Sequence, residues 1–225
     1  MAAKLYKESK VELSPVIARH YDRIMNSISL GKYDRFIRKA IGDMEISATD
    51  HILDLGCGTG KNAALMAQYL GEEGRITGVD LSPVMEKQFR EKHAADERID
   101  FSRQRIDIPF DLGKKFHKVL ISFVIHGFPH EVRKAILQNA YNHLEPGGKL
   151  MILDYAEFSV DDMPWHHRVI FKTVECKYAF DYLERDWKSI LQQYQLSPEQ
   201  EKLYFRNYAR LLTGTKSNGS EKKNT

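Results

Sequence analysis

Through the middle of this chain, short apolar runs alternate with stretches of helical spacing. His51-Ile52-Leu53-Asp54-Leu55 is an apolar run closed by Gly56, and Arg75–Val79, Ile99–Arg103, Lys118–Phe123 and Lys149–Asp154 repeat the pattern. Runs of this length bounded by glycine or turn residues predict buried strands. Between them, Lys61–Leu70 sets Leu65, Met66, Tyr69 and Leu70 on one helical face. Ser82–His93 opens with Ser-Pro, a good N-cap and first-turn pair. Behind Pro129, Val132, Ile136, Ala140 and Leu144 recur at i,i+4, and Glu145-Pro146-Gly147-Gly148 predicts a turn. Strands alternating with helices predict an α/β fold with a parallel, doubly wound sheet.

The two flanks read differently. Residues 1–13 are polar; from Ser14, Val16, Ile17, His20, Tyr21 and Ile24 fall at helical spacing, and Leu30, Tyr33, Ile37 and Ile41 line a second helix. Together they predict an N-terminal helical cap over 1–46, ahead of a main domain over 47–216. After Tyr155, Met163–Tyr182 is aromatic-rich and amphipathic, and Glu184–Tyr194 has helical spacing, so a helical lid or insertion is expected over 156–195. Glu201–Arg206 and Tyr208–Thr215 alternate as two closing strands, and the tight connection at Asn207 makes them antiparallel. Residues 217–225 carry no packing side chains and read as a disordered tail.

Composition narrows the picture modestly. The 225 residues suffice for one substantial core, and 42% hydrophobic with 29% charged residues is ordinary for a globular chain. The 34 basic and 31 acidic residues are interleaved, giving +3 without the clustered basic face that reads nucleic acid. That charge is compatible with peripheral contact to acidic lipid. No apolar run reaches membrane-spanning length, Met1-Ala2-Ala3-Lys4 opens no signal peptide, and the two cysteines fit a reduced, cytoplasmic compartment.

The chemistry concentrates in Asp54-Leu55-Gly56-Cys57-Gly58-Thr59-Gly60, between a strand and a helix. Glycines at alternate positions let the backbone turn tightly and approach a ligand with no Cβ in the way. The following helix start offers unpaired N–H groups to an anion. A dinucleotide loop requires Gly-x-Gly-x-x-Gly, and position 61 here is Lys. Gly78-Val79-Asp80 closes the next strand; its carboxylate could accept two hydrogen bonds from a ribose diol, or cap the helix at Ser82. His126, in the loop after the fourth strand, is a candidate general base at the sheet's carboxyl edge, with an ordinary loop histidine as the alternative. His166 and His167 point about 100° apart on a helix with no partner at ligand spacing, so no metal site is expected. Trp165, Phe171, Tyr178, Phe180 and Tyr182 could roof an apolar acceptor pocket or pack as core.

Taken in order, Ile52–Gly60, Gly78-Val79-Asp80-Leu81-Ser82, Ile108-Pro109-Phe110 and Leu144–Gly148 resemble the class I S-adenosylmethionine-dependent methyltransferases, over Ser14–Lys216. The resemblance implies a Rossmann-like seven-stranded doubly wound sheet with the last strand antiparallel, and S-adenosylmethionine as cofactor. Within that family, His20–Asn26 and Ile121-Ser122-Phe123 look most like the ubiquinone/menaquinone-biosynthesis C-methyltransferases. By resemblance Gly56, Gly58, Thr59 and Gly60 hold the methionine part of the donor, and Asp54 orients its ammonium. Asp80 binds the ribose hydroxyls, Leu81 packs on the adenine, and Ser122 touches the donor. Tyr21 closes over its carboxylate. Gln104, with Arg105 beside it, stands where the family has an Asp or Asn reading the adenine amino group. The family's Arg-Asn pair facing the quinone is replaced by His126 and Gly127. The expected activity is methyl transfer to a small apolar or aromatic acceptor, a quinone-like carbon first. A lipid amine or other metabolite as acceptor, or a non-catalytic donor-binding subunit, are the alternatives.

Overall fold

The computed structural model describes Tyr6, Ser9 and residues 32–218. The helix expected from Ser14, with His20 and Tyr21, lies outside the described residues, as does the tail beyond 218. The first described element is α1 (Lys32–Gly42), followed by β1 (His51–Leu55), α2 (Lys61–Met66), β2 (Arg75–Asp80), α3 (Pro83–His93) and β3 (Ile99–Arg103). Then come β4 (Phe116–Ser122), α4 (His130–His143), β5 (Leu144–Tyr155), α5 (Trp165–Val174), α6 (Lys177–Leu183), α7 (Trp187–Gln193), β6 (Leu196–Tyr204) and β7 (Ala209–Lys216). The strands form one seven-stranded sheet in the order β3-β2-β1-β4-β5-β7-β6. β1 to β5 pair in parallel, and β7, last in the chain, is antiparallel to both β5 and β6.

Side chains alternate across each strand, so neighbours such as Ile52 and Leu53 bury on opposite faces. Leu53, Val119, Ile121 and Ile152 pack with Ile136 and Ala140 of α4 and with Tyr182, Trp187 and Leu191 of the insertion. Ile52, Leu120, Met151 and Leu211 pack with Ile37, Ala40 and Ile41 of α1, Met66 of α2 and Phe89 of α3. Each such fully buried aliphatic side chain contributes about 1.5–3 kcal/mol. The start of α3 follows its sequence: the Ser82 hydroxyl accepts the Met85 N–H, with Pro83 first in the helix.

Several boundaries differ from expectation. Glu145–Gly148 lies inside β5, because Leu144 already pairs with Phe116 and the register then shifts before Lys118 meets Lys149. The glycines therefore make a bulge, with Gly147 at φ 76°. β6 begins at Leu196, earlier than Glu201, because Ser197–Gln200 form a polar edge with no apolar alternation to reveal it. At the other end of the hairpin, Phe205, Arg206 and Asn207 all take left-handed backbone.

Candidate active site

At the carboxyl end of β1 the chain turns sharply, with Gly56, Gly58 and Gly60 at φ 80°, 54° and 76°. The turn is pinned beneath β2, because the Gly56 and Cys57 N–H groups both donate to the Val79 carbonyl at 2.8 and 3.1 Å. Its three glycines serve different needs. A Cβ on Gly56 would stand 2.6 Å from Val124, and one on Gly60 2.6 Å from His93 and 2.7 Å from Phe89. A Cβ on Gly58 would meet nothing within 4 Å. Gly58 thus faces open space, where a ligand can lie against bare backbone. Cys57 is buried with its thiol pushed to a high pKa by burial and by Asp54 and Asp80, as suits a packing residue.

Asp54 lies under this turn with zero exposure, and neither carboxylate oxygen has a hydrogen-bond partner. Burial first, and the neighbouring Asp80 charge second, push its pKa up to about 7. A buried carboxylate without a donor is costly, and a cation placed above the glycines would satisfy it. Asp80 closes β2 and holds the turn: Oδ2 accepts the Gly58 N–H at 3.0 Å and Oδ1 the Ser82 N–H at 2.9 Å. It is therefore both loop anchor and helix-start ligand, and each oxygen keeps lone-pair capacity for a hydroxyl. Burial raises its pKa against those backbone donors. Thr59 is buried, its hydroxyl accepting from Lys92 at 3.2 Å. Leu81 leaves 43% of its surface exposed directly after Asp80.

Farther along the edge, Gln104 is exposed just past β3. Arg105 is turned to Asp107, at 2.6 and 3.1 Å, and Asp107 also accepts the Tyr6 hydroxyl at 2.6 Å. Arg105 is thus engaged in a separate ion pair. Ser122 ends β4, half-buried. The turn after it carries His126, whose Nδ1 lies 2.7 Å from Asp154 Oδ1 and whose Nε2 lies 3.6 Å from Glu175 Oε2. Buried Arg133 clamps this turn, donating to the carbonyls of Ile125 and His126 and pairing with Asp181 of α6. Burial opposes charge on His126, yet Asp154 and Glu175 outweigh burial and Arg133, so its pKa is raised.

Rings line the same edge. Phe36 of α1 meets Phe123 at 5.9 Å and Phe205 at 4.6 Å, Phe123 meets Tyr155 at 6.1 Å, and Tyr155 meets Phe171 at 5.3 Å. Of the aromatic series expected to roof a pocket, Phe171 and Phe180 join this row. Trp165 stands 76% exposed on the outside of α5, and Tyr182 is sunk in the main core against Trp187. Tyr182 thus follows the core-packing alternative, whereas Trp165 fits neither reading, because α5 turns Phe171 inward and leaves Trp165 facing out. Phe36, Phe123, Tyr155, Phe205 and Glu175 were not singled out in sequence, because they meet only through tertiary structure. Among the described residues, no cluster of metal-ligating side chains occurs.

A sheet in this order carries a glycine turn over an unpaired buried carboxylate, with a second carboxylate one strand away, an arrangement open to a ligand that brings a cation and hydroxyl donors. Residues 52–148 match the methyltransferase domain family. In this stretch the chain is similar to methyltransferases, and its sheet has the topology of the S-adenosylmethionine-dependent ones. It is 29% identical over 159 residues to the demethylmenaquinone methyltransferase of Lactiplantibacillus plantarum, a match spanning 69% of this chain and 66% of that protein, just under two thirds. Among solved structures, a TehB-like SAM-dependent methyltransferase from Corynebacterium glutamicum aligns at TM-score 0.63 with 14% identity, over 91% of this chain and 100% of that one. Magnesium protoporphyrin IX methyltransferase from Synechocystis, crystallised with bound SAH, aligns at 0.60 with 20% identity, over 82% and 81%. At these identities the two structures bear on the fold alone. No helix among the described residues is long and apolar enough to cross a membrane.

Proposed function

We propose that this chain transfers a methyl group from S-adenosylmethionine to a carbon of a small aromatic acceptor of the hydroquinone kind. The observation that carries the donor is Asp54, fully buried with both oxygens unpaired beneath three left-handed glycines. That arrangement fits a group with an ammonium and an extended chain. Asp54 would hold the ammonium, Gly56, Gly58, Thr59 and Gly60 the methionine portion, and Asp80 the ribose diol. Leu81 and Gln104 would border the adenine and Ser122 the sulfonium side. The donor supplies an electrophilic methyl group on a positively charged sulfur. The chain's own task is then to align the acceptor in a dry site and manage its proton.

The acceptor class rests on the row of rings from Phe36 through Phe123 to Tyr155 and Phe171, which offers flat apolar contact beside Ser122. The similarity to a demethylmenaquinone methyltransferase supports the same class. The same reading places the protein in the cytoplasm, free of nucleic acid and in at most peripheral contact with lipid that carries the acceptor. Release of S-adenosylhomocysteine should be followed with short-chain demethylated naphtho- and benzohydroquinones, a lipid amine and a catechol. Turnover with a hydroquinone and mass gain at ring carbon is expected. Turnover with the amine alone would refute the acceptor class, and donor binding without any turnover would favour a non-catalytic subunit.

A further inference from the structure

At the acceptor side three titratable groups from three parts of the chain form one line. Asp154, one residue before the end of β5, has no exposure; it receives the His126 ring and backbone N–H at 2.7 and 3.4 Å and the Tyr155 N–H at 2.8 Å. His126 comes from the turn after β4. Glu175 comes from the junction of α5 and α6, and its Oε1 accepts the Tyr155 hydroxyl at 2.7 Å while Oε2 faces His126 Nε2 at 3.6 Å. The side chains of His126 and Glu175 are each 12% exposed. The other charged or titratable groups around the imidazole are Arg133 of α4, bonded to its carbonyl, and Tyr182 of α6, 6.4 Å away ring to ring.

We propose that Glu175 is the proton acceptor for the hydroxyl of the methyl acceptor, and that His126 is its positioning residue, held as a buried cation. This rests on the hydroquinone reading above. Both ring nitrogens of His126 face a carboxylate, at 2.7 and 3.6 Å, which favours the imidazolium, a form with no lone pair with which to accept another proton. Asp154 is sealed from any ligand and already receives three N–H groups. Glu175 alone of the three combines remaining lone pairs with exposure beside the ring row. Its partner Tyr155 is itself a member of that row, 6.1 Å from Phe123 and 5.3 Å from Phe171. Tyr155 therefore holds the carboxylate beside the ring row.

The proton balance is simple. The acceptor's O–H bond breaks, its proton bonds to Glu175 Oε2, and the electron pair left on oxygen is shared with the ring carbon that takes the methyl group. That carbon then releases its own hydrogen as a proton to solvent, and Glu175 returns the first proton to the oxygen. One proton leaves for each methyl group gained, matching the positive charge that the donor loses.

The test uses the full chain and E175Q, which keeps the shape and can still accept the Tyr155 hydroxyl. Turnover with a short-chain demethylated naphthohydroquinone should fall by about 10²–10⁴-fold, the range for a lost general base. Affinity for S-adenosylhomocysteine by calorimetry should stay within about twofold, since the donor residues are untouched. Independently of activity, NMR titration should show the His126 imidazole losing its proton at lower pH in E175Q than in wild type. Y155F should raise KM more than it lowers kcat, because the carboxylate remains but is less well placed. Active wild type with E175Q within about threefold in kcat would overturn the assignment of Glu175, as would an unchanged His126 titration. Wild type that binds S-adenosylhomocysteine but methylates no hydroquinone would instead overturn the acceptor reading and the proton step built on it.

Discussion

Replacing Asp54 with Asn should make the ligand-free protein more stable and its donor site worse. The folded carboxyl is raised from its ordinary 3.8 to about 7 by burial and by Asp80. Between those two values the folded state holds a proton that the unfolded chain has released, so wild-type stability falls as pH rises through that window. At 1.36 kcal/mol per pKa unit, the full cost above pH 7 is about 4 kcal/mol. Asparagine has nearly the same shape and never ionises, so it removes this slope. Because the amide brings two N–H donors where the protonated acid has one O–H, and none finds a partner there, the net gain is smaller. We expect a melting temperature at pH 8 higher by roughly 5–12 °C, at roughly 2–4 °C per kcal/mol for a chain of this size. At pH 4.5, where Asp54 is protonated in the wild-type fold, the two curves should nearly coincide. Calorimetric affinity for S-adenosylhomocysteine at pH 8 should drop about 10- to 100-fold, since a hydrogen bond to a charged group contributes about 1.5–3 kcal/mol. Melting curves taken ligand-free from pH 4.5 to 8 decide the matter. A D54N variant no more stable than wild type at pH 8, or a gap that does not change with pH, would refute the reasoning.

The remaining predictions concern the same turn. S-Adenosylhomocysteine should bind without added metal and more tightly than NAD, because Lys61 occupies the position where a dinucleotide turn needs glycine; calorimetry with both ligands checks this. Gly58→Ala should fold with a penalty of about 1–2 kcal/mol from left-handed backbone alone, since its Cβ meets nothing within 4 Å, yet lose most donor affinity. Gly60→Ala adds a contact 2.6 Å from His93 and 2.7 Å from Phe89, so its melting temperature should fall further. Asp80→Ala should weaken S-adenosylhomocysteine at least about tenfold, from one or more bonds to a charged group. Losing its bonds to Gly58 and Ser82 should also lower the melting temperature, while removal of the like charge lets Asp54 titrate at lower pH.

The glycine turn proposed to hold the donor is legible in sequence because it is local. Asp54, Gly56, Gly58 and Gly60 lie within seven residues, and Asp80 is reached by the next strand, which parallel pairing sets beside the first. Alternation of apolar runs was enough for the strands from β1 to β5, and the antiparallel hairpin followed from the short connection at Asn207. What escaped was set by pairing partners, not by pattern. Leu144 was expected to close a helix face, but Phe116 draws it into β5. Arg105 stands next to the position that the family resemblance assigns to the adenine, and Asp107, two residues on, takes two bonds from its guanidinium.

The acceptor half had no such local signature, and the reason is physical. A ring row needs only apolar side chains at suitable heights, so Phe36, Phe123, Tyr155, Phe171 and Phe205 come from five separate segments and resemble ordinary core in sequence. His126 was visible only as a loop histidine, since nothing nearby in sequence announces Asp154 28 residues later. That partner changes the meaning of the residue. A loop imidazole near its ordinary pKa can serve as a base, but two facing carboxylates raise the pKa of this one and favour its charged form, and on our proposal the role of base passes to the more exposed carboxylate. The substitution of a family Arg-Asn pair by His126 and Gly127 therefore need not remove proton chemistry from the site. On that proposal a positive side chain is retained at this position, and the carboxylate beside it arrives from the helical insertion, the part of the chain farthest from the motifs that identify the fold.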